Sequence, residues 1–318
     1  MIHRRLFITL VFAWLTACAY ATTWDEPWQE DVIKNADYFV LANVKSATEK
    51  KGITIEIIKT LGGPELKGSL SITDYYLLSF GSYSGRYDEF DFPQDIKKCY
   101  FFIKKNAEGH YCMATPTAGY AKIKAGKVYA TYRHSYHQAL VPVDDYELTM
   151  TAIFNNYHKL PYNKQAITDY IDKYIKLKPS GFAKDEVETF FAQHVALECI
   201  YHLRLTGYYD QLLPFFHDRS NFHNQVSAAR ALISYNTPIC KQELMKVIID
   251  TTNDIFVQVI CIWSLSEFKP TELKEQLIQI KETASTKENG FGGDIMDPRV
   301  GTMFPTVREA LIKLIDSL

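Results

Sequence analysis

The chain reads as an α+β protein of two modules, an N-terminal antiparallel β-barrel or sandwich followed by a C-terminal helical repeat domain. Three observations predict this. Between Tyr38 and Pro142, apolar residues alternate with period two and aromatic and β-branched types are abundant, the pattern of half-buried strands. After Asp144 the apolar residues fall at helical spacing as far as Leu318, and Gly and Pro gather mainly at the joints. Residues 222–250 laid on residues 255–283 at an offset of 33 superimpose Val226 on Val259, Leu232 on Leu265 and Val247 on Ile280, so the repeating unit is a pair of helices.

These textures divide the chain into residues 1–21, 22–143 and 144–318. The first stretch has the form of a signal peptide: His3, Arg4 and Arg5, then an apolar run from Leu6 to Ala17, then Ala19-Tyr20-Ala21, the small-x-small pattern cleaved before Thr22. Leu15-Thr16-Ala17-Cys18 also resembles the lipobox of bacterial lipoproteins, in which the cysteine is lipidated. Either route exports the protein, to the periplasm, the exterior, or a lipid anchor at Cys18. The apolar run is shorter than the ~20 residues that span a bilayer, and no other stretch approaches that length. Composition adds that 47% hydrophobic residues suffice for a packed core, and that 35 basic against 37 acidic residues lack the excess a nucleic-acid binder needs.

Taken in order, Pro27 opens a short helix whose Val32 and Ile33 face the sheet. Strands follow at Tyr38–Val44, at Ile53, Ile55 and Ile57, and at Ala121, Ile123 and Ala125, continued by Val128, Ala130 and Tyr132. The unbroken run Tyr100-Phe101-Phe102-Ile103 marks the most central strand. A turn at Asn106-Ala107-Glu108-Gly109 sets Cys112 opposite Ile103, so a Cys99–Cys112 disulfide needs a shifted register. Asp144 with Glu147 has the spacing of a capping box for a helix through about Asn156. The last helix carries Val307, Ala310, Leu311 and Leu314 as one apolar stripe, suited to a terminal cap, whereas Ile255–Leu265 is apolar all round, as an interior helix should be.

Val226-Ser-Ala-Ala-Arg-Ala-Leu232 resembles the helix stretch of HEAT-type repeats, and the resemblance spans roughly residues 185–318. Ankyrin repeats share the period, but Pro270-Thr271 reverses the order of Thr237-Pro238 and no Gly-rich finger follows. The β-rich part is similar to the netrin/TIMP-like variant of the OB barrel, with Asp37–Val44 as its first strand and Ile53–Leu61 as its second. Protease inhibitors of that family use an N-terminal cysteine. Thr22 stands in that place, so inhibition by that route is not implied.

No phosphate-binding loop, dinucleotide fingerprint, His-Glu-x-x-His helix or Cys-x-x-Cys pair occurs, and no cofactor is implied. Gly81-Ser-Tyr-Ser-Gly85 has Tyr83 where a hydrolase elbow needs serine, and Asp88-Glu-Phe-Asp91 with Asp95 lacks calcium-loop spacing. His134 and His137, three apart on a strand, point to opposite faces and read as surface residues. His194, Glu198 and His202 share one helical stripe. Its ends are ~12 Å apart, too far for one ion, so it reads as the polar side of a helix whose core side carries Ala196, Ile200 and Leu203.

The spacing from Val259 to Val307 exceeds the 33-residue period by 15, which places an insertion at residues 287–304. Its apolar residues and glycines suit a packed loop, with Phe291 as anchor and Asp294, Asp297 and Arg299 as recognition groups. The sequence therefore implies an exported bacterial envelope binding or scaffold protein with a protein partner and no catalytic set. The alternative is an envelope hydrolase or metal-dependent enzyme drawing on His134, His137 or the His194 stripe. Export has a direct measure. Intact mass of protein from the native host should correspond to a chain starting at Thr22, or at a lipidated Cys18, and an uncut cytoplasmic chain would refute both.

Overall fold

The computed structural model describes residues 27–48, 52–74, 80–81, 87–88, 96–113, 119–291 and 302–318. Residues 1–21, expected as a signal peptide, lie outside them. Helix α1 (Gln29–Asn35) comes first, with Val32 and Ile33 fully buried. Strands β1 (Tyr38–Thr48), β2 (Gly52–Gly62) and β3 (Ser69–Asp74) form an antiparallel meander. The short pair β4 (Phe80–Gly81) and β5 (Tyr87–Asp88) stands apart from it, and β6 (Lys98–Lys105) and β7 (Tyr111–Met113) follow. β7 runs parallel to β3 and antiparallel to β6, while β6 returns to β1, which closes a five-stranded ring in the order β1-β2-β3-β7-β6. From the outer half of β6 the sheet continues through β8 (Tyr120–Lys124), β9 (Lys127–Thr131) and β10 (Gln138–Pro142).

The apolar run in β6 is explained by what lies on each side of it. Cys99, Phe101 and Ile103 point into the ring beside Val40, Ala42, Ile53 and Ile72. Tyr100 and Phe102 point outward with Phe39 and Leu41 against the helices, so neither face meets water and the strand needs no polar alternation. Phe39 stacks on Phe102 with ring centroids 4.8 Å apart. The register places Cys112 opposite Lys104 and Cys99 opposite Lys122, and no disulfide joins the two cysteines. The expected opposition of Cys112 to Ile103 is thus off by one residue.

Helix α2 (Val143–Tyr157) packs on the outside of this ring. It begins at Val143 with Pro142 as N-cap, so the expected capping box does not form. Glu147 instead accepts from Lys59 at 2.6 Å and from the Tyr100 hydroxyl at 3.1 Å, tying helix to barrel. The approach is close enough to require glycine: a Cβ on Gly62 would lie 2.3 Å from the Phe154 ring, and Gly63 has φ +85° against the Asp37 carbonyl.

Helices α3 (Lys164–Ile175), α4 (Val187–Leu203), α5 (Tyr209–Phe216), α6 (Phe222–Leu232), α7 (Pro238–Ile249), α8 (Ile255–Ser266), α9 (Lys274–Thr283) and α10 (Val307–Asp316) complete the chain. α4 packs on α6, α6 on α8 and α8 on α10, while α5, α7 and α9 each pack on the next of these. The 33-residue offset reappears as Phe222 and Ile255 opening α6 and α8. Strands β11 (Asn289–Phe291) and β12 (Thr302–Phe304) form a hairpin ahead of α10, whose own capping box uses Thr306 and Glu309. Among the described residues no helix is long and apolar enough to cross a membrane. One apolar cluster runs from the outer face of the barrel through all of these helices.

Candidate functional site

The residues with chemical potential meet where the β9–β10 connection is pressed into the helices. Thr131 through Gln138 are all buried, although they carry the polar sequence Thr-Tyr-Arg-His-Ser-Tyr-His-Gln. His134 and His137 are therefore not surface residues. The backbone turns back on itself between them, with the His137 N–H donating to the His134 carbonyl at 2.9 Å, and the turn lies against α4, α6 and α8 rather than in solvent. The His194–Glu198–His202 stripe is likewise buried, because this part of α4 is packed among β10, α2, α3 and α6. Burial of so many polar groups requires internal partners.

Arg230 supplies the most important of these. On α6, its guanidinium donates from Nε to Glu198 at 3.1 Å and from Nη2 to Glu30 of α1 at 3.1 Å. Its flat faces are covered by Tyr201, 3.9 Å from the ring centroid, and Trp28 at 4.9 Å. Glu30 also accepts from the Tyr201 hydroxyl at 3.0 Å. A second buried guanidinium, Arg133, donates to Ser227 Oγ at 3.0 Å and to His223 Nδ1 at 3.2 Å, and lies 3.9 Å from Glu198. Two cations thus face two carboxylates in a largely buried setting. Burial by itself disfavours ionised Glu30, but the charge and hydrogen bonds of Arg230 more than offset it and hold the carboxyl at about 2.

Hydrogen bonding fixes the histidine tautomers. Ser227 donates to Glu198 Oε1 at 2.8 Å, so its oxygen accepts from Arg133 and from Nδ1–H of His194 at 3.0 Å. His202 donates from Nε2 to the Tyr132 carbonyl at 2.7 Å and shares a second hydrogen bond at Nδ1 with the Tyr157 hydroxyl at 2.9 Å, and burial holds it below the usual histidine range. The ring of His137 lies 4.2 Å from those of His194 and His223. Burial first, and then the adjacent cations and imidazoles, keep His137 and His194 well below the usual histidine range, and burial with Arg133 pushes His223 down to about 3. Among the described residues, no group of three His, Cys, Asp or Glu side chains is arranged to hold a metal ion.

The network opens to solvent on one side. Trp28, Glu30, Arg230 and Tyr201 line a cleft of about 260 Å³, with Trp263 and Ile260 of α8 opposite and Lys34, Asp31, Arg204 and Glu267 at its rim. Behind it, Trp28, Tyr136, Phe256 and Phe304 form a continuous aromatic layer. Of the four residues expected to bind a partner, Phe291 joins this layer, stacked on Tyr136 at 4.6 Å, whereas Asp294, Asp297 and Arg299 lie outside the described residues. The charged network itself was missed by sequence reasoning. Its one local signal is Arg230, a cation inside the small and apolar stretch Val226–Leu232. Searches for similar proteins find no matching family model, curated protein or solved structure.

Removing one partner of such a network leaves an uncompensated charge, which costs ~3–5 kcal/mol. Arg230→Ala should therefore destabilise by that order in urea titrations, where a loss below about 1 kcal/mol would show the pairs to be unimportant. The pH response follows from the same groups. Each histidine stays neutral when folded but protonates in the unfolded chain below its ordinary 6.5, so stability is complete above pH 6.5 and falls as pH drops towards 3. Glu30 adds a loss between 4.5 and about 2. Melting temperature should decline progressively from pH 7 to 4, and His223→Phe should flatten the part above pH 4.5.

Proposed function

We propose that the chain is an exported bacterial cell-envelope protein that works by binding a protein partner, with a HEAT-like helical module docked on an OB-type barrel. The stacking of α4, α6 and α8 with a 33-residue offset supports the repeat reading. A closed ring of five strands with one parallel pair, β3–β7, supports the barrel reading. The observation that carries binding over catalysis is the enclosure of the histidine cluster. His137 and His194 are buried among neutral, hydrogen-bonded or cationic neighbours, where no substrate reaches them and no base is poised near neutral pH.

The partner surface in this reading is residues 287–304, with Phe291, Asp294, Asp297 and Arg299 as its recognition set. Phe291 and Phe304 fasten the β11–β12 hairpin to Tyr136 and Phe256, and Met303 between them is 65% exposed. Tagged mature protein should capture its partner from envelope extracts, and Asp297→Ala and Arg299→Ala should each reduce capture at least ~10-fold, about 1.4 kcal/mol, with melting temperature unchanged. Phe291→Ala should lower the melting temperature by removing the stack on Tyr136. Undiminished capture by both charge variants would move the partner surface elsewhere.

A further inference from the structure

We propose that the cleft between α1 and the α4, α6 and α8 helices binds a single neutral sugar ring. This assigns a small-molecule site separate from the protein-partner surface, and it rests on size, wall chemistry and charge balance. At about 260 Å³ the cleft lies below the ~300–1,000 Å³ of pockets for drug-sized ligands, so it takes something no larger than one ring.

Its walls combine three aromatic side chains, Trp28, Tyr201 and Trp263, with six charged ones. The indoles of Trp28 and Trp263 are in edge-to-face contact, 5.8 Å apart at 80°, with Ile260 beside them. The apolar surface they leave open is small, which suits the C–H face of one pyranose rather than a longer chain. The guanidinium of Arg230 covers one face of Trp28 and is itself locked by Glu30 and Glu198, so that wall is set before any ligand arrives.

The rim selects for a neutral polyol. Lys34 faces Asp31 at 3.8 Å and Arg204 faces Glu267 at 3.9 Å, each side chain about half exposed. Both separations exceed hydrogen-bonding distance, so the four groups keep their donors and acceptors while their charges already cancel. A net-charged ligand gains no field here. A zwitterion would have to prise both pairs apart. A hydroxyl, by contrast, donates to a carboxylate and accepts from the facing cation at once, closing each gap with both charges in place.

Two of the chain's four tryptophans line the cleft, so their emission reports occupancy. Mature protein titrated with glucose, galactose and N-acetylglucosamine should give a saturable change in emission for at least one of them, with a Kd below about 10 mM by calorimetry. Glu267→Gln, an exposed change, should weaken that binding ~5-fold or more without altering the melting temperature, and Trp263→Ala should abolish it. A glycan ending in the preferred sugar should bind comparably if the site reads a terminal residue, and more weakly than the free sugar if it reads a monosaccharide. The proposal is overturned by the absence of saturable binding for every neutral sugar, by preference for glycine or alanine over all sugars, or by sugar binding that both variants leave intact. Partner capture by the hairpin is measured separately, so failure here leaves that reading standing.

Discussion

The junction of barrel and helices depends on matching buried charge between α1, α4 and α6. Arg230 does this by lying between Glu30 and Glu198 with an aromatic ring on each face. A guanidinium suits the task better than an ammonium, because its fork engages two acceptors in one plane and leaves both faces free for stacking. The arrangement joins three distant parts of the chain: α1, α4 and α6. It also explains why Arg133 can be buried beside them, since Glu198 lies within 3.9 Å of it and Ser227 relays between the two.

The histidines follow from that placement. Burial first, and then the two guanidinium groups, disfavour further positive charge, so His137, His194 and His223 are held neutral and pack among Phe190 and Phe222. Arg133 donating to His223 Nδ1 and Ser227 accepting from His194 Nδ1 set the orientation of each ring. The neutral state of these imidazoles is a consequence of burial and of the neighbouring positive charge.

Strand and helix textures were legible in the sequence because they are local. Alternation through Tyr38–Val44, the unbroken Tyr100–Ile103 and the offset that sets Phe222 against Ile255 each need only a short window. The site was not legible for the opposite reason. Glu198 and His202 look like the wet side of a helix unless Arg230 and Tyr132 are known to face them, and those partners are 32 and 70 residues away. The Thr131–Gln138 segment looks like an exposed turn, yet it is buried, with Arg133 donating to Ser227 and His223 of α6, far along the chain. At the start of α2, Asp144 and Glu147 have capping spacing, yet Glu147 is taken by Lys59 and Tyr100 across the sheet. Each miss is a tertiary partner overriding a local rule.

The span between Glu30 and Arg230, 200 residues, also sets an order of events during synthesis. A ribosome adding ~5–20 residues per second needs about 10–40 s between making the first partner and the second. For that interval the Glu30 carboxylate has no cation, although β6 and α2, against which α1 packs, are made well before it ends. The barrel strands, whose pairings are complete by β7, can close meanwhile. The ion pair must therefore close late, so a helix at the N-terminal end of the described residues completes its contacts only after α6 has been made.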